Sequence, residues 1–228
     1  MLQYISKFNK KDMNVGELLK QYFPASSNTT IDVFDARNIY DVYQRIFNVL
    51  NQYIEIETTV LQAMSYCFYE ILDNVLTHSG KEVGTVITNY DVEKHRLSFL
   101  VADDGIGIHQ SLLENKKYAA ISEEEALRQC VQDSVTDGKG MGFGLYSTSL
   151  LVMGAGVQFE IHSGTHKLVF KSGTLEVDKS AQWQGTVVFL ELTTNKEINP
   201  QEVVANRTDC AAQYNELFLN DSELETLW

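Results

Sequence analysis

Residues 69–78, YEILDNVLTH, decide the fold because they place polar and apolar side chains on different faces of one predicted helix. The helix is expected to begin near residue 57. Glu70, Asn74 and His78 recur every four residues and therefore share one helical face. A second, apolar face is predicted to pack against a sheet and is formed by Met64, Phe68, Leu72, Val75 and Leu76.

The polar face carries the residue types that a magnesium–phosphate site needs. A side-chain carbonyl such as that of Asn74 is a neutral oxygen ligand for Mg²⁺, which takes the rest of its shell from waters and substrate phosphates. Glu70, one turn earlier, could orient or deprotonate a water or hydroxyl that attacks a γ-phosphate. The alternative is a solvated helix face on which these residues fall by chance, because short motifs are not specific by themselves.

The composition predicts a soluble, acidic protein with one large domain, or a domain with an appendage. The chain has 228 residues, of which 44% are hydrophobic, and a formal net charge of −13. This charge argues against nonspecific nucleic-acid binding. No apolar run approaches the roughly 20 residues that cross a bilayer, and no signal peptide is evident, so we expect a cytoplasmic location away from the membrane. Three scattered cysteines suit a reducing compartment.

Alternating apolar residues predict an α+β fold of two layers, with helices on one face of a mixed, mostly antiparallel sheet. Helices are expected over residues 35–53 and, more briefly, at VGELLKQYF before Pro24. The strand signals lie at residues 30–34, 84–90 and 96–102, and in three further runs at 157–163, 167–179 and 185–192.

Residues 103–108, DDGIGI, follow the third strand signal directly. A strand that ends on a carboxylate and two glycines places an acceptor at the sheet edge and lets the backbone approach another group closely. Asp103 could there accept a hydrogen bond from an exocyclic amine such as that of adenine. An acidic β-turn is the alternative.

Residues 112–139 are polar and are predicted to form a mobile lid, with one helix capped by Ser122. The lid leads into GMGFG at residues 140–144, which directly precedes a predicted helix. Free backbone N–H groups and a positive helix terminus at this position favour an anion. A flexible connector is the alternative.

The domain boundaries are expected near residues 29 and 194. They divide the chain into an N-terminal extension (1–29), a central domain (30–194) and an acidic, helical C-terminal tail (195–228). Residues 196–228 contain seven acidic and two basic residues. The tail either packs on the domain as a solvated helix or binds a partner through Leu227 and Trp228.

Three motifs in this order resemble the GHKL ATPase superfamily, which includes gyrase B, the Hsp90 chaperones, MutL and the ATP-binding domain of sensor histidine kinases. Residues 70–74 resemble its N box, residues 103–107 its first glycine box and residues 140–145 its second. The strand that opens on Gly185 and Thr186 is similar to the closing Gly-Thr strand of the superfamily. The resemblance covers about residues 30–192 and implies a two-layer sandwich of the Bergerat type.

The resemblance implies a role for each matching residue. Glu70 would be the general base, Asn74 the Mg²⁺ ligand and Asp103 the acceptor of the adenine amino group, assisted by Thr186 through water. His78 and Lys139 would lie near the phosphates, although a helix-capping or surface histidine is the alternative for His78. The glycines that would let the loops close on ATP are Gly105, Gly107, Gly140, Gly142 and Gly144.

Departures from the superfamily narrow the expected function. The N-terminal segment has no room for the phosphoacceptor helical hairpin of sensor kinases, and nothing after residue 192 is long enough for a transducer domain. The chain then resembles the anti-sigma-factor serine kinases and the free-standing bacterial ATP-binding proteins. We expect a Mg-ATP-binding domain that hydrolyses ATP or transfers its γ-phosphate to a protein Ser or Thr in bacterial regulation.

Two other functions remain open at this point. One is a non-catalytic switch whose lid responds to ATP and binds a regulatory partner protein. The other is a nucleotide-free scaffold. A homodimer is compatible with either, and no nucleic-acid partner is expected.

Overall fold

The computed structural model describes residues 15–23, 29–53, 58–139, 144–155, 157–171 and 173–193. Its α-helices are α1 (Val15–Tyr22), α2 (Ile39–Tyr53), α3 (Thr58–His78), α4 (Gly107–Leu113), α5 (Glu123–Gln129) and α6 (Gly144–Ala155), and residues Lys116–Tyr118 form a 3₁₀ turn. Its strands are β1 (Thr29–Phe34), β2 (Gly84–Asp91), β3 (Arg96–Ala102), β4 (Gln158–Lys171) and β5 (Thr174–Thr193). Among these helices, none is both long and apolar enough to cross a membrane.

The strands form one open sheet in the order β1-β2-β3-β5-β4, and each neighbouring pair is antiparallel. The predicted α+β sandwich is therefore confirmed. Strand β3 is central and pairs with β5, so the end of β3 lies beside the residues where this pairing begins in β5, with Ala102 opposite Val187. This register brings two segments that are about 85 residues apart in sequence to one end of the sheet.

The main core lies between the sheet and helices α2, α3 and α6. Phe99 of β3 and Phe68 of α3 meet there edge to face, with ring centroids 4.4 Å apart. The predicted apolar face of α3 is confirmed where its side chains are described, because Phe68, Leu72 and Val75 are buried. The opposite side of α3 thereby keeps its polar row accessible to the rest of the site.

Helix α1 covers the other face of the sheet, so the prediction that all helices lie on one face is wrong for this helix. Tyr22 and Phe23 pack on Phe189 of β5, with ring centroids 4.9 and 6.1 Å from its ring. Residues of alternate parity on β2, β3 and β5 form this second cluster, as expected for a sheet with two buried faces. The segment predicted as an N-terminal extension thus contributes a helix to the packing of the sheet.

Three elements differ from the sequence-based prediction. Helix α2 begins at Ile39 rather than at residue 35, because Asp35 closes a preceding turn: its Oδ1 accepts from Arg37 N–H and its carbonyl from Ile39 N–H. The three runs after residue 156 form two long strands, with bulges around Gly164. Helix α4, which was not predicted, starts within the glycine motif. The predicted cap at Ser122 is confirmed, since its hydroxyl accepts from Glu125 N–H at 3.2 Å.

Truncating Phe99 tests the main core. Its ring is 1% exposed, so we expect Phe99→Ala to lower the free energy of unfolding by about 3–5 kcal/mol. Val92→Ala, at a residue that is 57% exposed, should change it by less than about 0.5 kcal/mol. Urea titrations followed by circular dichroism measure both values, and equal losses in the two variants would show that Phe99 is not part of the core.

Candidate functional site

Glu70, the first residue of the polar row on α3, faces the start of α6. A methyl group added at Gly144 would lie 2.7 Å from Glu70 Oε2, so the backbone at the N-terminus of α6 is packed against the Glu70 carboxylate. Because the first N–H groups of a helix have no intrahelical acceptors, this terminus carries partial positive charge. The structure therefore brings Glu70 together with the last glycine of the second glycine motif.

Asn74, the middle member of the row, carries a buried polar atom. Its amide nitrogen Nδ2 is buried and has no hydrogen-bond partner within the described part of the chain. A buried amide N–H without a partner is rare in folded proteins and is free to donate to an acceptor that a ligand supplies, such as a phosphate oxygen. The carbonyl oxygen of the same carboxamide is a ligand type that Mg²⁺ accepts, so Asn74 fits a metal-bound phosphate.

His78, the last member of the row, binds the end of the predicted lid. Its Nδ1 lies 2.7 Å from Asp137 Oδ2, which also accepts a hydrogen bond of 2.8 Å from the Ser111 hydroxyl. The backbone N–H of Lys139 donates to the other oxygen, Oδ1, at 2.9 Å. One carboxylate thus joins α3, α4 and the segment that leads into the glycine-rich loop.

The charge state of Asp137 follows from these contacts. Burial by itself would raise its pKa, but hydrogen bonds from Lys139 N–H, His78 and Ser111 outweigh this effect and hold the pKa below its ordinary value. The Lys139 ammonium lies 3.7 Å from the same carboxylate and 2.8 Å from Glu114. In this conformation Lys139 is therefore paired with acidic side chains of the lid and connected to His78 through Asp137.

The loop of residues 103–108 is docked on the C-terminal end of α3. Ile106 N–H donates to the carbonyl of Ser79 at 2.8 Å. A side chain at Gly105 would overlap the same carbonyl, so the close approach requires glycine. Since Ser79 directly follows His78, this loop and the polar row of α3 belong to one site.

Asp103 is buried within that loop and is only 3% exposed. Its Oδ1 accepts a hydrogen bond of 2.8 Å from Gly105 N–H. Burial raises its pKa to about 6, although hydrogen bonds from the backbone N–H groups of Gly105 and Thr186 act in the opposite direction. A carboxylate with this environment, at the end of a strand, is suited to accept a hydrogen bond from a ligand.

Strand β5 holds the backbone behind Asp103. The N–H of Asp103 donates to the carbonyl of Thr186 at 2.9 Å. Gly185 has φ +89°, and a side chain there would overlap the Asp103 carbonyl and lie 2.6 Å from its Oδ1. Gly107 also approaches β4 closely, because an added methyl group would lie 2.7 Å from the Ser163 hydroxyl. A larger residue would therefore not fit there without a shift.

The predicted residues therefore form two adjoining groups. The first group is the polar face of α3 with Gly144 and Lys139 beside it (Glu70, Asn74, His78, Gly144 and Lys139). The second is the loop with Asp103, Gly105 and Gly107, together with Thr186 of the neighbouring strand β5. The two remaining predicted residues, Gly140 and Gly142, lie outside the described residues.

Sequence reasoning missed five residues that contact these groups: Ser111, Asp137, Ser163, Trp183 and Gln184. Asp137 lies just before the second glycine motif and Trp183 just before Gly185, so proximity to a motif was an available signal for both. Ser111 and Ser163 carry no such signal, because their contacts arise from tertiary packing: Ser111 of α4 meets Asp137, and Ser163 of β4 meets the start of α4.

A cleft of about 580 Å³ lies between helices α4 and α5 and the β4–β5 hairpin. Its charged lining residues are Glu114 and Glu123, and Trp183 and Gln184 form part of its wall. Of the sequence-predicted site residues that the structure describes, Gly107 alone lines it. This cleft is therefore distinct from the polar row of α3.

Comparison with known proteins agrees with this geometry. The family described as "Histidine kinase-, DNA gyrase B-, and HSP90-like ATPase" matches residues 60–196. The chain belongs to this ATPase family. No curated protein matches it closely enough to count as a relative.

Membership in the ATPase family confirms the GHKL resemblance and the function of ATP binding that the motifs predict. The matched residues begin within α3 and end just after β5, so they contain both groups of site residues. The ATPase family alone does not distinguish hydrolysis, phosphoryl transfer and partner binding.

The raised pKa of Asp103 predicts a pH dependence of stability. The pKa of Asp103 is about 6 in the folded chain, above its ordinary value of 3.8. The protonated carboxyl therefore contributes fully to the free energy of unfolding below pH about 4, and this contribution is lost as the pH rises through 6. We expect the unfolding free energy of the wild type, relative to Asp103→Asn, to fall by up to about 3 kcal/mol between pH 4 and 7. Urea titrations across this range measure the difference, and Asp104→Asn controls for net charge. A flat difference would contradict the burial of an ionised Asp103.

Proposed function

We propose that the chain binds Mg-ATP between α3, the loop of residues 103–108 and the N-terminus of α6, and that it hydrolyses ATP or transfers its γ-phosphate to a Ser or Thr of a regulatory partner protein. The contact between Glu70 and Gly144 at the N-terminus of α6 carries this proposal. This contact supports Glu70 as a general base next to the N-terminus of α6, whose positive end would bind the phosphates.

Glu70 is the proposed base. Its carboxylate lies beside backbone that would bind an anion, so a water or hydroxyl held between carboxylate and γ-phosphate can lose its proton as it attacks. Phosphoryl transfer depends mainly on positioning and charge neutralisation, so a carboxylate, a metal and a helix terminus are sufficient parts. The acceptor, water or a protein hydroxyl, decides between an ATPase and a kinase.

Asn74 is the proposed residue that holds magnesium, together with oxygens of the phosphates. Within the described residues no three His, Cys, Asp or Glu side chains cluster as a metal site, so an ion here would depend on the nucleotide for its other ligands. When bound, magnesium would neutralise part of the triphosphate charge. His78, held by Asp137, would stand one turn further along the same face.

Asp103 is the proposed acceptor for adenine, at the other end of the nucleotide. The exocyclic amine of adenine would donate to its carboxylate, with Thr186 assisting through water. This assignment is supported by the burial of Asp103 and by its position one loop away from the phosphate end of the site.

Replacing Glu70 tests the catalytic part of the proposal. Glu70→Gln keeps the shape but removes the base, so we expect turnover to fall about 10²–10⁴-fold while Mg-ATP affinity changes little. Release of phosphate from γ-labelled ATP, or label on a partner, measures turnover, and calorimetry measures binding. Asp73→Asn, which removes a carboxylate that instead accepts from Thr77 on the same helix, is the control. Bound, intact ATP in the wild type would instead indicate the non-catalytic switch.

Replacing Asn74 tests the metal. We expect the wild type to bind ATP more tightly with Mg²⁺ than with EDTA, and Asn74→Ala to reduce that preference by about tenfold or more, since residues outside the ligand shell already contribute that much to metal affinity. Calorimetry under both conditions measures the preference. Asn51→Ala, at an exposed position of α2, should retain it. An unchanged preference in Asn74→Ala would remove Asn74 as a ligand.

A further inference from the structure

Three side chains of the β4–β5 hairpin bind the backbone of the loop that contains Asp103. Trp183 Nε1–H donates to the carbonyl of Asp103 at 3.4 Å, and Gln184 Nε2 donates to the carbonyl of Gly105 at 2.5 Å. The Ser163 hydroxyl accepts from Ile108 N–H at 3.0 Å and donates to the carbonyl of Gly185 at 2.9 Å. Contacts to backbone fix the path of the loop at its beginning, middle and end.

These contacts leave the Asp103 carboxylate little freedom. Its backbone is held from two directions, by the carbonyl of Thr186 on one side and the indole of Trp183 on the other. Its Oδ1 is engaged by Gly105 N–H, and Gly105 is in turn held by Gln184. The direction in which the carboxylate points therefore depends on side chains that do not belong to any of the three family motifs.

The indole of Trp183 has a firm position of its own. It packs with the second apolar cluster, on the face of the sheet that α1 covers. The ring of His162 lies 6.3 Å from it, and His162 Nε2 is 2.8 Å from both the Ala181 carbonyl and the Ser180 hydroxyl. Because neighbours fix the indole, its N–H acts as a fixed donor rather than as an adaptable one.

We propose that Trp183 and Gln184, with Ser163, are positioning residues that aim the Asp103 carboxylate and thereby set the preference of the site for a purine that carries an exocyclic amine. The inference rests on the proposed function, in which Asp103 accepts from adenine. A site that hydrogen-bonds a ligand N–H discriminates against an analogue lacking that donor only while its acceptor stays aligned. Loss of the positioning contacts would therefore reduce discrimination before it reduces nucleotide binding in general.

Inosine triphosphate provides the matching probe. It has the same triphosphate and ribose as ATP but carries a carbonyl in place of the exocyclic amine. Its affinity reports the phosphate end of the site, while the ratio of the ATP to the inosine triphosphate affinity reports the alignment of Asp103. A structural defect that only loosens the domain lowers both affinities together and leaves the ratio unchanged.

The test measures both affinities by calorimetry, with magnesium, for the wild type and three variants of the full chain. Trp183→Phe keeps an aromatic ring but removes the indole N–H that donates to the Asp103 carbonyl. Gln184→Ala removes the amide N–H that donates to the Gly105 carbonyl. Each should lower the ratio about threefold to tenfold, as expected for one lost hydrogen bond, with the affinity for inosine triphosphate unchanged. Gln182→Ala, two residues before Gln184 on the same exposed side of β5, is the matched control and should keep the wild-type ratio.

A double-mutant cycle distinguishes action through Asp103 from any other effect. In an Asp103→Ala background the ratio should be low already, and adding Trp183→Phe should not lower it further. A further decrease there, an unchanged ratio in both single variants, or an equal decrease in Gln182→Ala would overturn the inference. Should Trp183→Phe fail to fold, Gln184→Ala decides alone.

The outcomes also separate this inference from the proposed function. A wild type that does not bind Mg-ATP contradicts the proposed function itself. If the wild type binds ATP and inosine triphosphate equally, Asp103 is not the acceptor of a hydrogen bond from the adenine amine. A wild type that prefers ATP, with variants that keep the preference, contradicts only the roles of Trp183 and Gln184.

Discussion

The docking of the loop of residues 103–108 onto the last turn of α3 is the constraint on which the site depends. The carbonyl of Ser79 accepts from Ile106 N–H, and Gly105 approaches it so closely that no side chain fits between them. This contact joins the helix that carries the polar row of Glu70, Asn74 and His78 to a strand end that carries a buried carboxylate. Without it the two groups would still exist on α3 and β3, but at an undefined distance.

Electrostatics explains why both negative and positive groups lie around the polar row of α3. The chain carries a net charge of −13, and Glu70 and Asp137 add negative charge where a triphosphate would bind. An anionic ligand is then bound only if local positive charge exceeds this repulsion. Among the described residues, the N-terminus of α6 and Lys139 can supply positive charge, and Lys139 is already paired with Glu114 and Asp137. The proposed chemistry therefore requires a magnesium ion together with the helix terminus.

The sequence predicts those features of the fold that depend on local pattern. The α3 face, strands β1 to β3 and the Ser122 cap follow from periodicity and capping chemistry, and all are found. The start of α4 is not predictable in this way, because Gly107, its first residue, has φ +75° and reads as part of a loop. The contact of Trp183 with Asp103 joins residues 80 positions apart and exists only because β3 and β5 pair in one register.

The lid and the base-facing loop are anchored by different means, and this difference bears on which of them can respond to a ligand. Residues 103–108 are held by backbone hydrogen bonds, close glycine contacts and the β4–β5 hairpin, so several independent contacts would have to break before the loop moved. The two ends of the lid segment meet at one carboxylate, since Ser111 precedes it and Asp137 is near its end. Asp137 also holds His78, the last residue of the polar row on α3. A phosphate that attracts His78 therefore competes with the same carboxylate that closes the lid segment, whereas it has no such competitor at Asp103. In the proposed complex, this geometry would couple the phosphate end of the nucleotide to the lid segment and would leave the adenine end to determine which nucleotide binds.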